Sequence, residues 1–534
     1  MLELLSLPPE ILEKITEYLG GAHKKVVRRV CRQLNDIVEH QLFSNIVLKY
    51  SNYQPDLICE QLEALASRTT TARLHARSLE IRGFSPDAHL GARSRSRSVE
   101  RNRNSRSRSR GPLAETHSTN KGILAHLGQA ICSLRKVREV WWHVGQNDPE
   151  WAQIVVMDSL TSLPFLEELK ISLGGGSASA VKLEQLTGLR KITITGSAID
   201  YRRDVVHGLR TLISNSPSLT HLDVGCNYRS DDSQISTLHD LLGAVPSETP
   251  LNLSHLTLRG WCVRLDEETL PHLRSLESLS LSSNIDWQAL SHLDLDEASR
   301  DALLERTGNW CSSSAEIWDT LREERIRLKE ICTDEVNDAL LEYLASYSRL
   351  ERLNLSSATA DTASKSDALA IKFYREVLPS HAESLVSLDV SPVYEGKWCF
   401  GKHNASSLLQ CVRLANLKIH INSEEIDRDR KQDAVWNLLE VAEDLPNLSQ
   451  LSIHSADSES NRGGRSGGNP SIGHIYRVNK EISQSVTTFG PMEPVGISKI
   501  ITTPAREYVA RSDDEAGAGL WYRSSMSQGS HLDL

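Results

Sequence analysis

Two short stretches of the chain have the spacing of enzyme motifs. Residues 396–403, with the sequence GKWCFGKH, follow the spacing of a phosphate-binding P-loop, but His403 stands where a Ser or Thr hydroxyl would bind magnesium. Trp398 and Phe400 are also too bulky for a loop whose backbone must approach a phosphate. Residues 464–468, GRSGG, spell a nucleophile elbow, but no strand precedes them in a Ser- and Gly-rich region. Neither stretch predicts catalysis.

The 19 histidines and nine cysteines form no metal-ligand pattern. The sequence has no HExxH and no CxxC, the spacings that bring two ligands together on a helix or in a turn. We therefore predict a non-catalytic chain without a cofactor or a metal. An odd number of unclustered cysteines fits free, mostly buried thiols in a reducing compartment.

The first residues indicate a protein of the cytoplasm, the nucleus or both. Residues 1–10 lack a basic region, carry Glu3 and are interrupted by Pro8 and Pro9, which is not the pattern of a signal peptide. No apolar run approaches the roughly 18 residues that a membrane-spanning helix needs. We expect no membrane partner.

Charge is distributed unevenly over the 534 residues, whose net charge is −10. Residues 91–112 contain eight arginines and one acid, Glu100, so this segment carries +7 and the rest of the chain −17. Nucleic-acid phosphates attract clustered cations, so such an acidic body disfavours nucleic acid as a partner.

Apolar residues near the N-terminus recur at helical spacing. Leu7, Ile11, Leu12, Ile15 and Leu19 follow this spacing, Pro8 and Pro9 suit a first helical turn, and Gly20-Gly21 predicts the end of the helix. A second helical pattern runs from about residue 23 to residue 42. So small a unit has little core of its own, so we expect some of these apolar groups to need a partner.

The rest of the chain is dominated by an L-x-x-L-x-L pattern in which alternate residues of a short strand point inward. Copies begin at Leu166, Leu189, Leu219, Leu253, Leu276, Leu350, Leu385, Leu414 and Leu448, with weaker copies at Leu79/Ile81 and Val137/Val140/Trp142. One such repeat cannot bury its own apolar face, whereas stacked repeats bury a continuous core. The pattern predicts a solenoid of irregular repeats.

The predicted fold class is an α/β solenoid preceded by a small helical module. The predicted ranges are a helical module at 4–48, a connecting segment with a first degenerate strand at 49–90, a disordered Arg/Ser-rich insertion at 91–112, the repeat solenoid at 113–455 and a disordered tail at 456–534. Within the solenoid, the stretch from Glu316 to Leu344 reads as a long charged helix that breaks the repeat period.

The N-terminal pattern resembles an F-box, carried by Leu7-Pro8-Pro9-Glu10-Ile11-Leu12 and by Val30-Cys31-Arg32 at the family's distance. The resemblance implies a trihelical module that docks on the Skp-type adaptor of an SCF ubiquitin ligase and, through it, on a cullin scaffold. The implied adaptor-binding residues are Leu7, Pro8, Ile11, Leu12, Ile15, Leu19, Val30, Cys31 and Leu34. Two departures are the absence of a tryptophan after Val-Cys-Arg and a basic middle around Lys24-Lys25 and Arg28-Arg29. The alternative interpretation is a helical cap, which terminal repeats need.

The repeats resemble those of F-box proteins with leucine-rich repeats, in which the strand-lined face recruits a protein substrate. The residues between the inward leucines then face solvent. Candidate target-binding residues are Trp141, Lys170, Lys191, His221, His255, Arg259, Trp261, Arg352 and Lys418. The tryptophans and Arg259 are the best anchor candidates, because Trp and Arg are enriched among binding hot spots. For any one of these residues, the alternative is that the side chain is simply exposed to solvent and has no role in binding.

Arg93 to Ser98 and Ser105 to Arg110 resemble the RS segments of splicing-related proteins, in which the serines are phosphorylated. A solvated insertion explains the same composition. The chain as a whole is therefore predicted to be the substrate-recognition subunit of an SCF-type ubiquitin ligase. The alternatives are a leucine-rich-repeat scaffold outside any ligase and an RNA-processing factor that depends on the Arg/Ser segment.

Overall fold

The structure is a computed structural model of the whole chain. It describes residues 7–50, 55–84, 112–145, 147–174, 180–197, 203–227, 237–282, 312–426, 433–462, 469–489, 497, 499–503, 506–510 and 522–524. In these ranges no helix is long and apolar enough to cross a membrane. The predicted Arg/Ser-rich insertion and the GRSGG stretch lie outside the described residues, apart from Pro112, where a helix begins.

Three helices form the N-terminal module: α1 Pro9–Glu17, α2 Gly21–Val27 and α3 Arg32–Phe43. Pro9 occupies the first position of α1, where the missing N–H of proline costs no hydrogen bond. The three helices end one residue, Ser44, before the first strand of the sheet begins.

The described strands form one sheet in which every strand lies beside its neighbour in sequence. The strands are β1 Asn45–Lys49, β2 Ser78–Arg82, β3 Glu139–Val144, β4 Glu168–Leu173, β5 Lys191–Ser197, β6 His221–Asn227, β7 His255–Arg259, β8 Ser278–Ser282, β9 Glu330–Thr333, β10 Arg352–Leu355, β11 Ser387–Val390, β12 Asn416–Ile421, β13 Gln450–Ser455, β14 Lys499–Thr502, β15 Arg506–Ala510 and β16 Tyr522–Ser524. Strands β1 to β14 are parallel, and β15 and β16 are antiparallel to their neighbours. This sequential parallel order is the predicted solenoid.

Helices connect the strands on the other side of the core. They are α4 Pro55–Ala66, α5 Ala72–His75, α6 Pro112–Ser133, α7 Glu150–Thr161, α8 Arg203–Ser214, α9 Leu238–Leu242, α10 Ser314–Glu323, α11 Asp338–Ala345, α12 Ala363–Lys372, α13 Leu378–His381, α14 Ala405–Leu409, α15 Ala434–Glu443 and α16 Asn469–Thr488. A π-helical turn, Phe373–Val377, joins α12 to α13, and single 3-10 turns lie at Leu183–Gln185, Leu270–Leu273, Ser423–Glu425 and Glu459–Asn461. Side-chain caps at Thr237, Ser313, Asn337, Thr362 and Asp433 accept from the first-turn N–H groups of five of these helices.

Strand register aligns the repeat leucines into columns. Leu353 of β10 pairs with Leu388 of β11, which in turn pairs with Leu417 of β12, and these side chains are at most 3% exposed. Full burial of a leucine stabilises the fold by roughly 1.5–3 kcal/mol. Burial in these columns therefore stabilises the pairing of the repeats.

The long charged helix predicted between Glu316 and Leu344 is wrong. The structure has α10, strand β9 and α11 in this stretch. β9 is a further repeat, whose Leu328, Ile331 and Thr333 occupy the three inward positions and are buried. Because Lys329 donates its backbone N–H to Glu277 O at 2.7 Å and Glu351 donates to Lys329 O at 2.7 Å, the ladder continues across this region.

The prediction that residues 456–534 form a disordered tail is wrong for several segments. Helix α16 buries Val478, Ile482 and Val486, and β14 pairs in parallel with β13. Side chains also hold α16 on the body: Ser485 donates to Asp433 Oδ2 at 2.6 Å, and Trp436 donates to Ser485 O at 3.2 Å. This C-terminal unit covers the end of the leucine columns, which would otherwise be exposed.

The cysteine prediction needs one correction. Cys31, Cys59, Cys132, Cys332, Cys399 and Cys411 are free thiols, whereas Cys262 is disulfide-bonded. Burial raises the pKa of the Cys399 and Cys411 thiols to about 12. These two thiols therefore stay protonated, as expected of core residues.

We predict that Ile482→Ala lowers the free energy of unfolding by about 2–4 kcal/mol, because it leaves a cavity beneath α16. Tyr476→Ala in the same helix is the matched control: Tyr476 is 71% exposed, so its loss should change stability by less than about 0.5 kcal/mol. Urea unfolding followed by circular dichroism measures both. Equal effects of the two variants would mean that α16 does not pack on the solenoid.

Candidate interaction surfaces

The N-terminal module is held together by a small core and a polar clasp between α1 and α3. Leu12, Leu34 and Val38 are at most 6% exposed. His40 Nε2 lies 2.8 Å from Glu13 Oε1, and Gln41 donates its side-chain amide to Glu13 O at 3.2 Å. The apolar core and these contacts fix α1 against α3.

The predicted adaptor-binding residues divide into a core set and a surface set. Leu12 and Leu34 are buried, whereas Leu7, Leu19 and Cys31 are half-buried and Pro8, Ile11, Ile15 and Val30 are exposed. Ile11 and Ile15, one helical turn apart, are 45% and 43% exposed. Sequence reasoning missed Tyr18 and Val26, which are 92% and 65% exposed. Both are large apolar side chains exposed in the same module.

The module also closes the first repeat. Ser44 O, at the end of α3, accepts from the backbone N–H groups of Arg77 and Ser78 at 2.8 and 2.9 Å. The side chains of Thr71 and Glu39 join the α5 region to α3. Capping and docking are thus compatible in this module, because the capping contacts lie on α3 and the exposed isoleucines lie on α1.

The strand-lined face is the outward surface of β1 to β13. In β3 the inward residues Val140, Trp142 and Val144 are buried, whereas Trp141 between them is 44% exposed. The guanidinium of Arg82 lies 5.8 Å from the ring centroid of Trp141. Trp141 is thus a large apolar side chain within a polar surface, the arrangement typical of an interface anchor.

Five of the candidate cations on the strand-lined face are neutralised by a carboxylate of the preceding strand in the sheet. The pairs are Lys170 with Glu139 at 2.6 Å, Lys191 with Glu168 at 2.7 Å, Arg259 with Asp223 at 2.7 Å, Arg352 with Glu330 at 2.7 Å and Lys418 with Asp389 at 3.0 Å. Exposed ion pairs contribute about 0–1 kcal/mol each. Their main effect is to make the middle of this face polar and close to neutral.

His221 and His255 form a stacked pair on the strand-lined face, with ring centroids 3.9 Å apart. Thr220 donates its hydroxyl to Arg190 O and Ser254 donates its hydroxyl to Thr220 O, so each hydroxyl accepts from Nδ1 of the adjacent histidine at 2.9 Å. Burial and the neighbouring imidazole lower the pKa of His221. At neutral pH this histidine is therefore an uncharged hydrogen-bonding group.

Arg259 of β7 reaches Asp223 of β6 by passing over Gly225, which lies two residues after Asp223 on β6. A Cβ on Gly225 would lie 2.6 Å from Arg259 Nε, so any other residue at this position would force the guanidinium to shift. Burial raises the pKa of Asp223, and the charge of Arg259 opposes that shift. The Arg259 guanidinium is therefore paired with the Asp223 carboxylate within the sheet.

The structure corrects one predicted site residue. Trp261, placed among the target-binding residues, is 6% exposed and packs in the core beyond the end of β7. Trp142, beside Trp141, is also buried. Of these three tryptophans only Trp141 lies where a partner could contact it.

The P-loop-like stretch folds over the carboxyl ends of β11 and β12. Cys399 and Phe400 are buried, and Phe400 forms a bridge with Ile421 at the end of β12. Lys397, Gly401, Lys402 and His403 line a cavity of about 510 Å³. Glu424 and Glu425 line the same cavity, and their carboxylates would repel a phosphate. Among the described residues no group of three or more His, Cys, Asp or Glu could hold a metal.

The comparisons with known proteins bear on the N-terminal module. A family model described as F-box-like matches residues 4–49, which include α1 to α3 and β1. The match covers less than a tenth of the chain. No curated protein matches the chain.

Among solved structures, the chain is similar to one described as "Crystal structure of TLR13-ssRNA13 complex", with 18% identity and a TM-score of 0.28. The similarity covers 61% of this chain and 44% of the matched chain, so this protein spans less than half of that molecule's length. A TM-score of this size does not establish a common fold. The assignment of a leucine-rich-repeat type of solenoid depends on the strand register and the leucine columns described above.

We predict that Arg259→Met makes stability more dependent on pH. Without the guanidinium the already raised pKa of Asp223 rises further, so the folded state binds its proton more strongly than the unfolded state. The contribution of Asp223 to stability is then fully present below its unfolded pKa of about 3.9 and is lost as the pH rises through its folded pKa. Urea unfolding between pH 4 and pH 7 measures the slope.

The double variant Asp223→Asn/Arg259→Met is the control for this prediction, because it removes the titrating carboxyl. The free energy of unfolding of this double variant should vary with pH as in the wild type, except that the part due to ionisation of Asp223 is absent. A single variant with an unchanged slope would show that the Arg259 charge does not control the ionisation of Asp223.

Proposed function

We propose that this chain is a substrate-receptor subunit of an SCF-type ubiquitin ligase. The N-terminal module docks on a Skp-type adaptor and through it on a cullin scaffold, while the strand-lined face binds a protein target. The chain performs no bond chemistry in this proposal. It raises the effective concentration of the target's lysines near a ubiquitin-charged partner.

One observation carries the docking half of the proposal. Within the range matched by the F-box-like model, Ile11 and Ile15 are exposed on α1 although neither is needed for the module's core. Large exposed apolar side chains next to one another are typical of protein interaction sites. Pro8, Tyr18 and Val30 are also exposed within the matched range.

The target-binding half is supported by the geometry of the strand-lined face. Parallel strands present a regular, solvent-exposed surface of outward side chains, and repeat proteins use such surfaces to bind partners. Trp141 is the proposed anchor, with Lys170, Lys191 and His221 toward the middle of the face and Arg352 and Lys418 toward its C-terminal part. Residence in the cytoplasm or nucleus remains a prediction.

We predict that Ile11→Asp/Ile15→Asp weakens binding of the full chain to a Skp-type adaptor by at least about 100-fold, because two anchors of about 2 kcal/mol each are lost. Both residues are partly exposed, so folding should be preserved. Ile154→Asp on α7 is the matched control, since Ile154 is 42% exposed outside the module. Biolayer interferometry with purified adaptor gives the affinities.

A folded wild-type chain without adaptor affinity would contradict the docking proposal. The module would then be a cap of the solenoid, and the alternative of a scaffold outside any ligase would be favoured by the contacts of α3 with the first repeat.

Adaptor binding alone does not separate a ligase receptor from a scaffold that uses the adaptor. We predict that some proteins gain half-life when the chain is depleted and lose it again on re-expression of the wild type, but not of Ile11→Asp/Ile15→Asp or Trp141→Ala. Pulse-chase proteomics after depletion measures this. If the wild type and the Ile11→Asp/Ile15→Asp variant restore the same turnover, the chain acts without directing ubiquitination through the adaptor.

A further inference from the structure

The second helix of the N-terminal module has an unusual charge for a chain of net charge −10. Residues 18–35 contain five cations and no acid: Lys24, Lys25, Arg28, Arg29 and Arg32. The surface that these five residues form is named the basic patch below. It lies within the range that the F-box-like model matches.

The basic patch is accessible and has no internal counter-charge. Lys25, Arg29 and Arg32 are exposed, and Lys24 and Arg28 are half-buried. In the described ranges none of the five cations is paired with a carboxylate. The guanidinium of Arg28 lies 5.3 Å from the ring centroid of Phe43. The positive charge of the patch is therefore available to a binding partner.

Helix α2 contacts α3 but is only shallowly packed. It is seven residues long and has no buried residue. Isolated helices shorter than about 12 residues are marginal in water, and most helix stability in proteins comes from packing of one face. An additional contact over α2 would supply that packing.

Apolar side chains are interleaved with the cations. Tyr18, Val26 and Val30 are 92%, 65% and 67% exposed. A surface that combines large apolar groups with unpaired cations fits a partner with an apolar contact area and a surrounding of carboxylates. Ile11 and Ile15 on α1 belong to the same module, and we infer that both sets of side chains contact the same partner.

We infer that the basic patch is the electrostatic half of the adaptor-binding surface, and that it fits an acidic surface of the adaptor beside the apolar contact made by α1. This inference rests on the proposed docking function. A protein fits better than a nucleic acid or an anionic membrane, because those extended polyanions would also approach the rest of the chain, which carries −22 outside residues 18–35 and 91–112. A protein surface that contacts only the module is repelled less, since charges beyond about 8–10 Å are screened at physiological salt.

The inference is tested with the full chain by measuring association and dissociation rates with a purified Skp-type adaptor between about 0.05 M and 1 M salt. The test variant is Lys25→Glu/Arg29→Glu, which reverses two exposed cations. At low salt we expect its affinity to be about tenfold lower than that of the wild type, mainly through slower association, as is typical of charges at the rim of an interface. At about 1 M salt, where the Debye length is about 3 Å, the two affinities should converge.

Arg274→Glu/Arg327→Glu is the matched control, since both arginines are exposed in the β8 and β9 repeats, far along the sheet from the module. It changes the net charge of the chain equally and should leave adaptor binding within about twofold of the wild type. Equal losses in both double variants, or wild-type affinity that does not fall with salt, would overturn the inference while leaving adaptor docking intact.

Two further outcomes separate the inference from the function on which it rests. If the folded wild type binds no adaptor at any salt concentration, the proposed docking function fails together with the inference. If the test variant keeps full adaptor affinity but loses binding to a 20-nucleotide single-stranded RNA or to phosphatidylserine vesicles, the basic patch has another occupant and the inference is wrong.

Discussion

The whole structure depends on the fact that one repeat cannot bury its own apolar face. Strands β1 to β8 and β10 to β13 each contribute two or three inward apolar side chains, and these become buried only when the adjacent repeats place theirs in register. The register is continuous from β1 to β14, so each repeat depends on its neighbours. The two ends of such a stack are where unsatisfied apolar surface must be covered by something else.

Both ends are covered by units that differ from the repeats. At the N-terminal end α3 leads into β1, and Ser44 O completes the hydrogen-bond ladder toward β2. At the C-terminal end β14 pairs with β13, and two antiparallel strands then end the parallel sheet. The buried face of α16 covers the core at this end. The terminal units are therefore required by the same constraint that builds the solenoid.

The sequence was most informative where the repeat is regular. Leucines at positions 1, 4 and 6 predicted β4 to β8 and β10 to β13, because burial of one face of a strand selects for aliphatic side chains at alternate residues. β9 escaped prediction because Thr333 occupies its third inward position and charged residues flank Leu328. β14 to β16 escaped because none of them has the leucine pattern: their sequences are KIIT, REYVA and YRS.

The surfaces were harder to predict than the strands. Helical spacing places Ile11, Leu12 and Ile15 in one apolar stripe, yet Leu12 is buried and the isoleucines are not. Which part of a stripe faces a core depends on where the neighbouring helix lies, and periodicity carries no information on that. Trp261 was misplaced for a similar reason, because two residues beyond β7 the strand alternation no longer determines which way a side chain points.

A single physical arrangement connects the two proposed binding surfaces. α3 and β1 are separated by one residue, and α3 also contacts the first repeat through Thr71 and Glu39. Trp141 lies on β3, and β1, β2 and β3 are hydrogen-bonded neighbours. The proposed target anchor is therefore connected to the module through paired strands. If the module docks on an adaptor, the orientation of Trp141 toward that adaptor is then set by the sheet. In a receptor built this way the sheet fixes the position of the bound target relative to the adaptor. Insertions in the loops between distant repeats would then change which target is bound without moving the docking surface.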